Sequence, residues 1–535
     1  MADLIIHNAK VWTVNPARPL AEAVAVSGGR IEAVGPDAEI RSLAGERTEV
    51  IDARGRLLLP GFVDAHVHFL AGGLALLGVD LRTARDEREF AEALRAHVER
   101  TPPGEWITGG RWDHESWPSR RRPTRGLIDP FTPRHPVLVS RLDGHMALAN
   151  TPALKLAGIG PDTPDPAGGR IERDERGEPT GIVIDAALEL VARVIPPPGE
   201  EQLLRAARAA MGHAAALGVT SVHSPVNRDE FLFLLALHRR GELTTRLYAM
   251  PELAPWRRLR EEGVLPLDGD ATFRAWCVKV FADGSLGAGS ALLSRPYCDN
   301  PSSGGLAIHS RDELRRIALE IDAAHFRVAV HAIGERAVRW ALDAFEEAGA
   351  PEARGRTGPR DARGPRFRIE HAQVVHPAER ARFARLGIIA SIQPSHCIDD
   401  MRWVARRLGE RTRWAYPFRS LLDTKAAGAL GTDWPVETLD PMLTLYAAVT
   451  RERPEGGPPG GWHGGERVTI EEAIRCYTLG GAFAEFHERN KGSIEPGRLA
   501  DMVILSRDIL TVPPRDILST HVDMTVFDGR VIWSR

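Results

Sequence analysis

Gly61-Phe62-Val63-Asp64-Ala65-His66-Val67-His68-Phe69 is an apolar run that ends by setting two imidazoles two residues apart. In an extended strand, residues i and i+2 point to the same side, so His66 and His68 can offer ring nitrogens to one point in space. That is a metal-ligand arrangement, although two histidines beside a core strand would give the same pattern, and two ligands do not make a catalytic site. Working outward, four more polar residues close apolar β-type runs. They are Lys279 after Trp276-Cys277-Val278, His331 after Val328-Ala329-Val330, His371 after Ile369-Glu370, and Asp433 after Leu430-Gly431-Thr432. Parallel strands buried on both faces read as continuous hydrophobic runs, and function collects where they emerge at their C-terminal ends. Any one of these residues alone would read as a satisfied core residue; six in this order point to one shared rim.

Lys279 needs its own account, since an ammonium would repel a metal. The chain has only five lysines (Lys10, Lys155, Lys279, Lys425, Lys491) among 69 Lys plus Arg, so its ordinary cation is arginine. A lysine inside an apolar strand suggests amine chemistry: burial lowers the ammonium pKa, and a neutral amine reacts where guanidinium cannot. Carboxylation by carbon dioxide would make it an anionic two-oxygen ligand able to bridge two metals. The alternative is an ion pair with a nearby acid such as Asp283.

Here the chain resembles the amidohydrolase superfamily, and within it the branch labelled amidohydrolase family 3, or YtcJ-like. The resemblance covers almost the whole chain. It is carried by GFVDAHVHF at 61–69, DGHMALAN at 143–150, GVTSVHS at 218–224, KVFADGSLGAGSALL at 279–293, VHAIGERAV at 330–338, RIEHAQ at 368–373, SIQPSH at 391–396 and GTDWPVE at 431–437. It implies that His66 and His68 bind one metal, that His331 and His371 bind the other, and that carboxylated Lys279 bridges the two. Asp433 would bind metal while serving as acid and base. It also implies that the Asp143-Gly144-His145 loop reaches the substrate, with His145 a hydrogen-bond donor near the reacting carbonyl; a turn capped by Asp and His fits that stretch equally. Ser224 is a departure, since relatives commonly carry Asp there.

Between the chain ends, eight strands are expected to end near His68, His223, Met250, Phe281, Ile333, Gln373, Gln393 and Asp433, most of them separated by helical patterns. Such alternation is that of an α/β protein and predicts a closed (β/α)8 barrel over residues 59–491. About 130 residues, 70–200, are inserted after strand one, where a barrel carries active-site loops, and read as a cap over the metals. Residues 1–58 alternate short β-type runs with Gly and Pro turns, and 492–535 are again strand-like. The two ends are expected to form one small β-sandwich domain.

At 535 residues, 43% hydrophobic and 26% charged, the chain suits a soluble globular enzyme. A net charge of −3 and the lack of a long basic tract argue against nucleic acid; Arg120, Arg121, Arg122 and Arg125 read as a solvated face. Four cysteines without short paired spacing suggest neither a zinc finger nor a disulfide framework, and point to a reducing cytoplasm. No apolar stretch approaches the roughly 20 residues needed to span a bilayer, so a membrane is not expected as a partner. A small-molecule substrate is expected, and the resemblance suggests a homodimer.

Trp112, Trp117 and Trp434 are expected in core or loop packing, while His376, His396 and Asp399, after strands six and seven, read either as packing residues or as pocket contacts. Zinc suits the imidazole-rich set best; manganese, iron or cobalt are alternatives. The expected activity is hydrolysis of a C–N bond in an N-acyl or N-formyl amine or a cyclic amide. The rivals are a mononuclear deaminase and a catalytically silent oligomeric binding protein on the same scaffold.

Overall fold

The run Phe62–Asp64 is strand β1, buried at every position, as a parallel strand covered on both faces must be. Eight central strands follow: β2 (Val219–Val226), β3 (Arg246–Pro251), β4 (Phe273–Arg274), β5 (Cys277–Phe281), β6 (Arg327–Ala332), β7 (Arg368–His371), β8 (Ile389–Ile392) and β9 (Ala427–Leu430). The computed structural model describes residues 1–142, 144–265, 269–349 and 366–535, and each ladder among these strands is parallel. Helices lie between them. Arg228–Arg239 and Arg311–Ala323 each begin with a capping box, on Asn227 and Ser310, and bury an apolar stripe such as Leu314, Ile317, Ala318 and Ile321.

The closed eight-stranded barrel expected from the sequence is not what the ladders make. They form two sheets, ordered β4-β3-β2-β1 and β5-β6-β7-β8-β9, with single bridges at the seams, Glu252 to Lys279 and Val67 to Trp434. The strand expected to end near Phe281 arrives as two pieces, β4 and β5, broken at Ala275 and Trp276.

At the β1–β9 seam the cause is local. The Asp64 carboxylate accepts the backbone N–H groups of His66 (3.2 Å) and Thr432 (3.0 Å) and the Tyr477 hydroxyl (2.7 Å), taking up donors that a ladder would use. Burial raises this acid to about 7. Gly431 permits the close approach, because a Cβ there would lie 2.7 Å from the His66 nitrogen. Irregular backbone bonds, Ala65 to Leu430, Asp433 to His66 and His68 to Trp434, replace the ladder.

Both chain ends enter one six-stranded sheet, with Lys10–Trp12, Leu20–Ala21 and Leu57–Pro60 from one end and Met502–Leu505, Val522–Phe527 and Arg530–Ser534 from the other. A four-stranded sheet holds Leu4–His7, Ala23–Ser27, Arg30–Gly35 and Glu49–Asp52. Leu4, Ile6, Val24 and Val26 of the smaller sheet share one core with Val11, Leu58, Met502, Ile504 and Val526 of the larger. At about 1.5–3 kcal/mol for each large side chain fully buried, apolar burial is ample to join residues so distant in sequence.

The chain divides into two compact units, residues 1–69 with 211–535, and residues 70–210. The second contains its own six-stranded mixed sheet and a core with Phe90, Leu94, Trp112, Trp117 and Val139. Trp112 and Trp117 are packing residues, their indole N–H groups donating to the carbonyls of Val139 and Ala84. In the first unit, Trp434 lies beside His213, ring centroids 5.7 Å apart. No helix among the described residues is long and apolar enough to cross a membrane.

Candidate metal centre

His66 and His68 leave the end of β1 and turn toward Asp433, which follows β9. His66 Nε2 lies 3.6 Å and His68 Nε2 3.3 Å from Asp433 Oδ1. The other carboxylate oxygen, Oδ2, faces His396 Nε2 at 3.8 Å. Two sets of side chains therefore offer ligand atoms within 4.8 Å of one another, His66 with His68 and Asp433, and His371 with His396 and Asp433. Asp433 belongs to both.

Three of the histidines have one ring nitrogen committed to a partner that can only accept, which leaves the other nitrogen with a lone pair. His66 Nδ1–H donates to Glu370 Oε2 at 2.5 Å, and His371 Nδ1–H to Gln393 Oε1 at 2.9 Å. His331 Nε2–H donates to the Gly284 carbonyl at 3.1 Å. Such partners fix the tautomer of metal-binding histidines and orient their rings. The three rings adjoin: His66 and His371 have centroids 5.0 Å apart, His331 and His371 4.5 Å.

Lys279, in β5, points its Nζ at His66 Nε2 across 3.2 Å and is almost completely buried. The ion pair with Asp283 that the sequence left open is not formed. Asp283 instead accepts the backbone N–H groups of Leu292, Ile333 and Gly334, which ties down the segment after β5.

Charge and burial together set the protonation of the site, opposing one another at Asp433 and acting together at the histidines. Burial lowers the Lys279 pKa, favouring the neutral amine. Burial, and then the Lys279 charge, lowers His66 and brings His331 down to about 3. Burial alone would raise Asp433, but the imidazoles of His68, His66, His371 and His396 outweigh it and hold the carboxyl well below its usual range.

The donor set fits divalent metal. Four imidazoles, a carboxylate and an amine converge, and Asp433 Oδ1 is buried without a hydrogen bond. Leaving such an oxygen unsatisfied costs about 1–3 kcal/mol or more, a cost that a cation would remove. Two of these residues also sit in left-handed backbone, His371 at φ 71° and Asp433 at φ 61°. Each such non-glycine residue costs about 1–3 kcal/mol, and strain of this kind gathers at functional sites.

His145 is in the other unit. It lies just before the strand Met146–Ala149, with its largely exposed ring donating from Nδ1 to Asp185 at 2.9 Å. Asp143 lies outside the described residues. His376 caps the helix Pro377–Leu386, accepting from the Ala378 N–H, and Asp399 pairs with Arg402. Ser224 accepts the Phe69 N–H at 3.1 Å and donates to the Pro225 carbonyl, so it holds the chain just beyond His68.

Sequence reasoning passed over Arg368, Glu370 and Gln393, and gave His396 no defined role. Arg368 and Glu370 are charged residues two apart inside an apolar strand, the same spacing signal that singled out His66 and His68. Arg368 binds Glu370 through Nε at 2.8 Å and Nη2 at 3.1 Å, and also donates to His223 Nδ1 at 2.7 Å. Burial alone would raise Glu370, but the Arg368 charge and the bond from His66 keep it well below its usual range. Replacing Glu370 with Gln removes the charge beside Arg368 and weakens the hold on His66. Metal affinity, read by chelator competition, is expected to fall about 10- to 100-fold.

The sequence profile described as "Amidohydrolase family" matches residues 49–533. Protein LONG AFTER FAR-RED 3 of Arabidopsis thaliana is 36% identical over 551 residues, covering 100% of this chain and 92% of its own. The N-substituted formamide deformylase of Arthrobacter pascens is 29% identical, with 100% and 99% covered. The crystal structure of an uncharacterized metal-dependent hydrolase from Pyrococcus furiosus superposes with a TM-score of 0.77 at 32% identity, covering 95% of this chain and 100% of that one.

Proposed function

Since the chain belongs to the amidohydrolase family, we propose that it hydrolyses a C–N bond in a small amide, most simply an N-formyl or N-acyl amine or a cyclic amide. The observation that carries this reading is Asp433, a buried carboxylate among imidazoles with one oxygen left unbonded. The full-length similarity to an N-substituted formamide deformylase supports the formyl amine as the first substrate to try.

His66, His68, His331, His371, Asp433 and carboxylated Lys279 would hold two divalent ions, zinc first among them, with carbon dioxide supplying the carbamate. When bound, such ions bring the pKa of a shared water from about 15.7 toward 7 and polarise a carbonyl. The protein supplies the rest. Asp433 Oδ1 faces the His66 and His68 side, where a ligating oxygen is wanted, while Oδ2 is free to take the proton from the attacking water. The same carboxyl then delivers that proton to the departing nitrogen, without which an amide would expel a poor leaving group. Glu370 and Gln393 keep the rings of His66 and His371 turned so that Nε2 presents its lone pair.

The metal-loaded protein is to be assayed against formamides, N-acyl amines, cyclic amides and carbamates, with release of the amine as readout. Hydrolysis in none of these classes would defeat the reading. Metal analysis at saturation is expected to give about two ions per chain, because six ligands including a bridging anion exceed what one tetrahedral centre accepts. A single ion would favour the deaminase alternative, and a site that binds no metal the silent binding protein.

A further inference from the structure

Unlike His66, His331 and His371, His396 meets a donor at one of its ring nitrogens. It lies in the helix Pro394–Asp400, directly after β8, and is 8% exposed. Its ring is parallel to that of His371 within 9°, with centroids 6.2 Å apart. Its Nδ1 meets the side-chain amide nitrogen of Gln373 at 3.1 Å. An amide NH2 donates and has no lone pair to accept with, so Nδ1 must carry the lone pair and a neutral ring must carry its proton on Nε2. The opposite face of the ring supports this tautomer. Nε2 looks toward Asp433 Oδ2 across 3.8 Å, and an N–H directed at a carboxylate oxygen is favourable where a lone pair would be repelled. At that distance the two are not bonded, and Nε2 has no hydrogen-bond partner among the described residues. A buried N–H without an acceptor is unfavourable, and an acceptor brought to it is bound.

We propose that His396 is a further catalytic residue: its Nε2–H is the donor that receives the oxygen of the scissile carbonyl as that oxygen becomes an oxyanion. The inference rests on the hydrolase reading above and adds the group that stabilises its tetrahedral stage. As the carbonyl carbon gains its fourth bond, the π pair moves to oxygen, which turns from a weak acceptor into an anionic one. A donor fixed beforehand in a water-poor site stabilises the second form more than the first. When the intermediate collapses, the pair returns to reform C=O, the C–N bond breaks, and the nitrogen takes its proton from Asp433; His396 keeps its own proton throughout. Distance alone would also admit His396 as a third ligand with His371 and Asp433, but the Gln373 contact places its lone pair on the nitrogen that faces away from Asp433.

The test uses the full-length, metal-loaded protein and two variants, His396→Phe, which keeps a ring and removes the donor, and His396→Gln, which can restore an N–H. Metal content is measured together with calorimetric binding of methylphosphonate, a tetrahedral anion that needs no turnover. His396→Phe is expected to keep the parent's metal content and to bind methylphosphonate roughly 10- to 100-fold more weakly, the scale of one hydrogen bond to a charged group. His396→Gln is expected to fall between Phe and parent, and it carries the test alone if the Phe variant does not fold. On an amide substrate kcat is expected to fall about 10²–10³-fold with little change in KM. Loss of metal from either variant would make His396 a ligand and overturn the proposal, as would unchanged phosphonate binding in His396→Phe. Failure of the parent to hydrolyse any amide would defeat the functional reading, while the phosphonate titration would still read the donor.

Discussion

Asp433→Asn is expected to retain its metal while kcat falls by about 10²- to 10⁴-fold, the range ascribed to general acid–base catalysis. Asn keeps the size of the side chain and an oxygen for the position of Oδ1, which lies 3.3 Å from His68 Nε2 and 3.6 Å from His66 Nε2. Its amide nitrogen then stands where Oδ2 faced His396, and an amide nitrogen cannot take a proton from water. Binding and chemistry should separate, with metal content read by elemental analysis and turnover by amine release. A variant that kept near-normal turnover with full metal would reduce Asp433 to a structural ligand. A variant that lost its metal would show that both carboxylate oxygens are needed for holding it.

Lys279→Ala is expected to lose activity and most of its metal, and small carboxylates such as acetate or propionate are expected to restore part of both. The amine is almost completely buried and stands 3.2 Å from His66 Nε2. A protonated lysine there would oppose any cation, and burial already favours its neutral form. The neutral amine can take up carbon dioxide and become an anion with two oxygens. If the carbamate forms, truncation would remove it, and a free carboxylate would be needed to take its place. Lys279→Arg is expected to stay inactive, with or without added carboxylate, because guanidinium remains cationic at any working pH. An active Arg variant would show that no anion is needed at this position.

The sequence was informative where chemistry and local periodicity coincide. His66 and His68 announced themselves because a strand puts i and i+2 on one side, and Lys279, His331, His371 and Asp433 because polar residues ending apolar runs are conspicuous. The structure brings Asp433, His66, His68, His371 and Lys279 together, with His331 beside His371. His396 was read only as a candidate for pocket contact, because its importance depends on which way Gln373 turns its amide. Arg368 and Glu370 carried the right spacing, but their task, holding His66 from behind, needs a partner about 300 residues away.

What the sequence by itself determined is the alternation of apolar strand runs with helical patterns and the residue types available to a metal. These follow from periodicity and burial, which act locally or without direction. Tertiary structure alone decided that the central ladders stop short of a closed barrel, because whether Asp64 or a neighbouring strand takes the N–H groups of His66 and Thr432 is a contest between groups remote in sequence. It also decided which nitrogen of His66, His331, His371 and His396 holds the proton, since that depends on whether the partner is a carbonyl, a carboxylate or an amide nitrogen. Hydrogen bonds have direction and short reach, and a linear sequence does not state which groups will meet.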